Sequence, residues 1–266
     1  SRTNLIDTCG TGGDGSGTFN ISTTVAFVAC GAGLAVAKHG NRSISSQCGS
    51  ADVLAELGVN IEASPEKVGQ CIDEAGIGFL FAVALHGAMK YAIGPRKELA
   101  LRTVFNVLGP LTNPAGAKRQ LIGVYDSGLT DKIAGVLKEL GSQRAFVVHG
   151  SDGLDEITLT GSTKLSELSG GRVETREINP GDFTLETAEA GALVGGDAAQ
   201  NAQILRAVLD GDQGPRRDVV LLNAAAAIAA GGLVDDMVAG IDVARESIDS
   251  GKARQALHRL VEVSNG

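Results

Sequence analysis

The sequence predicts an α/β protein built on a mostly parallel central sheet flanked by helices. Three observations carry that expectation. Short apolar segments alternate with segments whose apolar residues recur at helical spacing, the pattern of parallel strands joined by crossover helices. The chain has 266 residues and 43% hydrophobic content, enough to bury a large core. It carries 37 glycines, two tyrosines and no tryptophan, a composition that favours tight turns and close backbone approaches and offers few stacking platforms for nucleic acid bases.

In chain order, Leu5-Ile6 opens the sheet and a helix is expected from Ser22 to Cys30, then a strand from Leu34 to Ala37. Helices follow over Ala51 to Leu57 and Pro65 to Ala75, and a strand over Ile77 to Phe81. The segment from His86 to Leu111 reads as helical, punctuated by Gly109-Pro110 and Asn113-Pro114. It divides the chain into an α/β domain, 1–85 and 116–266, and a helical hinge over 86–115. The alternation resumes with Leu121 to Tyr125, a helix from Leu129 to Leu140, and Ala145 to His149. Glu156 to Thr160 and Val173 to Ile178 alternate like hairpin strands around Gly170-Gly171 and extend the sheet antiparallel. From Asp197 onward helices dominate, and Asn223 within an apolar helix reads as a buried hydrogen-bonding residue.

The formal net charge of −8 gives no general attraction to nucleic acid or anionic membrane, so a polyanion must be held by local groups or by metal. Cys9, Cys30, Cys48 and Cys71 lie far apart with no CxxC pair, which fits reduced thiols in the cytoplasm and small core residues better than a zinc site. The longest apolar stretch, Val219 to Ala230, is too short to span a bilayer.

The first informative segment is DTCGTGGDGSGTFNISTT, a glycine-rich loop between a strand and a helix. Its amides and the positive end of the helix dipole suit phosphate oxygens. Gly10 to Gly15 satisfies G-x-G-x-x-G, but the helix starts several residues later than in a dinucleotide site, and the next strand ends in cationic Lys38-His39-Gly40-Asn41-Arg42 instead of an acidic residue. Thr18 stands where a Walker loop needs lysine. Read alone, the loop is also compatible with a glycine turn that binds nothing, the weaker of the two readings.

A second strand end changes this. KHGNRSISSQCGSADVLAELG gathers Lys38 and Arg42 with Ser43, Ser45 and Ser46, and runs into a helix capped near Ser50. Two anion-adapted loops at the carboxyl edge of one sheet imply a ligand with two separated phosphate groups. The adjacent Asp155-Glu156, taken alone, is an ordinary solvated turn.

GTGGD, NIST and KHGNR followed by GSADVLAELG resemble the motifs of the anthranilate phosphoribosyltransferase family. The similarity runs on through FLFAVALHGAMK, PRKELALRTVFNVLGPLTNPAG and VVHGSDGLDEIT, and so covers nearly the whole chain. It implies a nucleoside phosphorylase/phosphoribosyltransferase-like fold and two substrates, phosphoribosyl pyrophosphate and anthranilate, with Mg²⁺ as cofactor. Gly10, Gly13, Asp14, Thr18, Asn20, Ile21, Ser22 and Thr23 would line the phosphoribosyl pyrophosphate site. Lys38, His39, Gly40, Asn41, Arg42, Ser43, Ile44, Ser45, Ser46 and Ser50 would continue it. Gly10, Asn41, His86 and Arg96 would face anthranilate, Arg96 through a planar fork that matches a carboxylate. Ser22, Asp155 and Glu156 would be the metal ligands.

The reaction so implied is attack of the aromatic amine on ribose C1, displacing pyrophosphate with inversion. No covalent nucleophile and no strong base are required, and none is assigned. Gly87 stands where the family has proline after the histidine. Family members carry several helices before GTGGD that form a small helical domain with the dimer contacts; nine residues precede Gly10 here, so only a remnant of that domain is expected. Two other readings are a nucleoside phosphorylase and a non-catalytic nucleic-acid-binding relative. KHGNR with GLDEIT favours the transferase over the first, and the acidic balance speaks against the second.

Overall fold

The computed structural model describes residues 5–43, 47–85, 105–189 and 191–266. Among them, strands β1 (Leu5–Gly10), β2 (Ala35–Gly40), β3 (Ile77–Phe81), β4 (Arg119–Gly123), β5 (Arg144–Gly150), β6 (Thr163–Ser169) and β7 (Arg172–Ile178) form one sheet. Its order is β3-β2-β1-β4-β5-β6-β7. The first five strands pair in parallel, and β6 and β7 are added antiparallel. The helices are α1 (Ile21–Gly31), α2 (Ser50–Glu56), α3 (Pro65–Glu74), α4 (Ala82–Leu85), α5 (Phe105–Leu111), α6 (Thr130–Glu139), α7 (Ala198–Leu209), α8 (Pro215–Gly231), α9 (Met237–Asp249) and α10 (Lys252–Asn265).

Strand residues alternate between two apolar layers, as the period of two requires. Ile6, Val36, Leu121, Phe146 and Val148 join a core with α1, α8, α9 and α10. Cys9, Ile122, Val124, Ala145 and Val147 pack on the other face against α6, and Leu5, Ala37 and Leu80 against α3. Helix α8 is buried from Val219 to Gly231 because alanine lets it lie close to its neighbours. A Cβ on Gly240 of α9 would run into the backbone of Ala225. None of the helices among the described residues is long and apolar enough to cross a membrane.

Two expectations are corrected. The first strand of the hairpin is β6, not Glu156 to Thr160. The hydroxyls of Thr158 and Thr160 both donate to Asp152 Oδ2 at 2.6 Å, and Asn223 takes up the amide of Ile157, so this segment's polar groups are engaged by side chains and not by a ladder. The hairpin turn itself is as expected: Gly170 and Gly171 have φ of 57° and 76°, the positive pair that a two-residue turn between twisted strands demands. The second strand of the sheet extends beyond Ala37 to Gly40, because Lys38 and His39 pair with Phe79 and Leu80 of β3. Of the hinge expected over 86–115, residues 86–104 lie outside the described residues; α5 and the turn after it follow, with Pro110 in the last turn of the helix.

Candidate functional site

The chain builds β1, β2 and β3 outward on one side of β1, then crosses to place β4 on the other. That reversal leaves a crevice at the carboxyl ends of β1 and β4, the usual ligand position in a parallel sheet. Three loops meet there: 11–20 after β1, the described residues 41–43 and 47–49 after β2, and 151–162 after β5.

The third loop locks onto the first. Asp155 and Glu156 sit between Leu154 and Ile157, whose apolar side chains are buried and peg the turn to the core. Asp155 Oδ2 accepts from the amide of Gly12 at 2.7 Å, and Glu156 Oε1 accepts from the amide of Ser22 at 3.1 Å. Gly12 has a φ of 65°, a conformation that costs a residue with a side chain and aims its amide at the carboxylate. Gly10 and Gly123 complete the fit, since a Cβ on either would strike Asp155.

Both carboxylates are buried, at 9% and 6% exposure, and are not the solvated turn that the pair suggests when read alone. Burial raises the Asp155 carboxyl well above the usual range, and the neighbouring charges of Asp14 and Glu156 raise it further. Burial lifts Glu156 to about 7, against the opposing pull of the Lys38 ammonium. Glu156 Oε2 is buried with no hydrogen-bond partner. An acceptor-only oxygen without a donor, beside a second buried carboxylate, fits a hard divalent cation that completes its shell with ligand oxygens and water.

Lys38 lies under this pair instead of projecting from its strand. It is 2% exposed, and its Nζ donates to the carbonyl of Thr8 at 2.6 Å and approaches Ser22 Oγ at 3.4 Å. Burial lowers its pKa, while Asp7 first, and Cys9, Glu156 and Asp155 after it, favour the charged form. Asp7 in turn accepts from the amide of His39 at 3.0 Å and from Asn113 at 2.8 Å.

The second loop is held by Asp52. Its Oδ2 accepts from the amides of Gly49 and Ser43, and its Oδ1 pairs with Arg42 at 2.8 Å. The helix cap expected near Ser50 is Gly49, with Asp52 closing it. Ser50 Oγ instead accepts from the amide of Asn41 at 3.2 Å. Asn20 ties the loops after β1 and β2 together: its Nδ2 donates to the carbonyl of Cys48 at 3.2 Å, and Asn201 Nδ2 donates to its Oδ1 at 3.0 Å.

The structure thus brings Gly10, Gly13, Asp14, Thr18, Asn20, Ser22, Lys38, Gly40, Asn41, Arg42, Ser43, Ser50, Asp155 and Glu156 to one sheet edge. Ile21 and Thr23 belong there too, but their side chains are buried, so they have only backbone to offer a ligand. Ile44, Ser45, Ser46, His86 and Arg96 lie outside the described residues. His39 is buried, as a core histidine is, and His149 closes its strand by a 2.7 Å contact of Nδ1 with the Val124 carbonyl. Sequence reasoning missed Asp7, Asp52, Asn113 and Asn201. Two local signals were available, a charge inside the apolar strand Leu5-Ile6-Asp7 and an aspartate three residues after Gly49; Asn113 and Asn201 reach the site across distances in sequence that no local pattern encodes.

Residues 2–254 match the glycosyl transferase family, a/b domain. An anthranilate phosphoribosyltransferase of Geotalea uraniireducens is 58% identical over 261 residues, which cover 98% of this chain and 75% of the relative. The crystal structure of the anthranilate phosphoribosyltransferase of Thermus thermophilus superposes with a TM-score of 0.94 at 45% identity, over 100% of this chain and 79% of that one. The Saccharomyces cerevisiae enzyme in complex with PRPP and Mg superposes with a TM-score of 0.89 at 33% identity, over 98% of this chain and 74% of that one.

Proposed function

The chain belongs to the anthranilate phosphoribosyltransferase family, and from that premise we propose that its three converging loops bind phosphoribosyl pyrophosphate with Mg²⁺ and present it to anthranilate. The activity is transfer of the 5-phosphoribosyl group to the anthranilate amine, a glycosyl transfer of tryptophan biosynthesis that releases pyrophosphate. The observation that carries the reading is the docking of Asp155 and Glu156 on the amides of Gly12 and Ser22, which joins a carboxylate pair to both ends of one phosphate loop.

Ser22, Asp155 and Glu156 are the residues that would hold Mg²⁺, which supplies charge neutralisation for the departing pyrophosphate. The chain's own part is alignment. The glycine amides of 10–17 and the first turn of α1 offer donors to phosphate oxygens at fixed positions, so no reorganisation is needed as negative charge grows on the leaving group. Asn41 and Arg42, with Ser43 and Ser50, provide the second phosphate contact, and release of Arg42 from Asp52 would free its guanidinium for the ligand. That ion pair is half exposed and weak enough to exchange partners.

Arg96 and His86, with Asn41 and Gly10, form the anthranilate side of this proposal. The aromatic amine keeps its lone pair at neutral pH and attacks C1 directly, so the site orients it and excludes water without an assigned base. Calorimetry tests the whole reading. Phosphoribosyl pyrophosphate should bind tightly with Mg²⁺ and weakly without it, and anthranilate added afterwards should start turnover. Binding that ignores the cation would sink the proposal.

A further inference from the structure

We infer that Asn223, a buried residue of α8, is the positioning residue for the Asp155-Glu156 carboxylate pair. The inference rests on the metal-binding role proposed for that pair. Asn223 is 0% exposed in a helix otherwise lined with Val, Leu, Ile and Ala, where an unpaired amide is costly and a paired one must have a specific partner. Its partners are specific. Oδ1 accepts from the amide of Ile157 at 2.9 Å, and Nδ2 donates to the carbonyl of the same residue at 2.8 Å, across 66 residues of chain. A third bond, to the carbonyl of Val219 one turn back at 2.8 Å, fixes the side-chain rotamer.

The Val219 contact takes only one Nδ2 hydrogen; the other hydrogen and Oδ1 both go to Ile157. The pair on Ile157 does more, because it grips the peptide groups on both sides of one residue, and the first of these is the peptide that leaves Glu156. On the other side of the turn the carbonyl of Asp155 is seated against Gly123 of β4, where no Cβ fits. Glu156 is therefore held between a strand and a helix, and Asp155 is fixed directly by the strand. The helix is a rigid anchor, since Gly240 of α9 lies directly on the backbone of Ala225, half a turn beyond Asn223. Outer groups that orient metal-binding residues in this way commonly set metal affinity by about 10- to 100-fold.

The test compares Asn223→Leu, which keeps the branch at Cγ and favours the helix but removes the three hydrogen bonds, with Ile241→Ala, a core truncation on α9 that leaves the loop untouched. The readout is the apparent Mn²⁺ dissociation constant, followed by electron paramagnetic resonance at fixed phosphoribosyl pyrophosphate, with KM for anthranilate alongside. Asn223→Leu should weaken Mn²⁺ about tenfold or more while KM for anthranilate stays put, and Ile241→Ala should move neither. Asn223→Asp, which keeps the acceptor for the Ile157 amide, should fall between the two. Wild-type Mn²⁺ affinity in folded Asn223→Leu overturns the inference and leaves the functional reading standing. Unmodified protein that binds no Mn²⁺ with phosphoribosyl pyrophosphate defeats that reading, and the inference with it. Should neither Asn223 variant fold, hydrogen exchange on the unmodified protein decides: the Ile157 amide should be protected like the amides of β4 and β5, and rapid exchange there overturns the clamp.

Discussion

Asp155 and Gly12 stand 143 residues apart in the chain, yet the carboxylate of one accepts a 2.7 Å hydrogen bond from the amide of the other. The contact joins the loop after β5 to the loop after β1 at the point where the strand order reverses. It means that the glycine-rich loop and the acidic pair form one object, whose shape depends on the glycines between them.

Gly123→Ala should show this dependence. The added methyl would overlap the carbonyl of Asp155, so either the 151–162 loop or β4 must move. Overpacking of this kind costs about 1–3 kcal/mol, and urea unfolding should register a loss of that size together with weaker Mg²⁺ binding. A variant of wild-type stability and metal affinity would show that the loop is not seated on β4.

Lys38→Met should cost more. Its ammonium is buried beside Asp7 and Glu156, and removing one member of a buried charge cluster typically costs about 3–5 kcal/mol because the others are left uncompensated. The loss should appear as a lower urea midpoint. Since Lys38 is the first influence that lowers Glu156, the glutamate should also titrate higher in the variant.

Metal binding should release protons near neutrality. With Glu156 raised to about 7 in the metal-free protein, a large share of the molecules carry a proton there at a pH of about 6.5, and a cation that binds the carboxylate must displace it. At a pH of about 8.5 the group is already ionised and the release should vanish. Calorimetry of Mg²⁺ with phosphoribosyl pyrophosphate in buffers of different ionisation enthalpy measures the count, and Glu156→Gln should remove the part due to that carboxyl. Equal release at both pH values would assign the proton to another group.

Arg96→Ala should separate the two substrates. If its guanidinium meets the anthranilate carboxylate, KM for anthranilate should rise far more than KM for phosphoribosyl pyrophosphate. Equal increases in steady-state kinetics would move Arg96 away from the acceptor.

The sequence by itself determined the parallel α/β architecture and marked the glycine-rich and serine-rich loops and the acidic pair, because each is a local pattern: apolar periodicity, glycine and serine density, or charge type over a few residues. It also marked Asn223, since one amide in an alanine-rich helix is conspicuous. What the local pattern could not supply was burial and partnership. Lys38 reads as a cation at a strand end, and only the pairing of β2 with β3 places it inside the protein. Glu156 to Thr160 alternates like a strand, but Asp152 and Asn223 claim its hydrogen bonds first. Asn113 and Asn201 hold the site through contacts 106 and 181 residues long, and such contacts exist only once the sheet has brought its loops to a common edge.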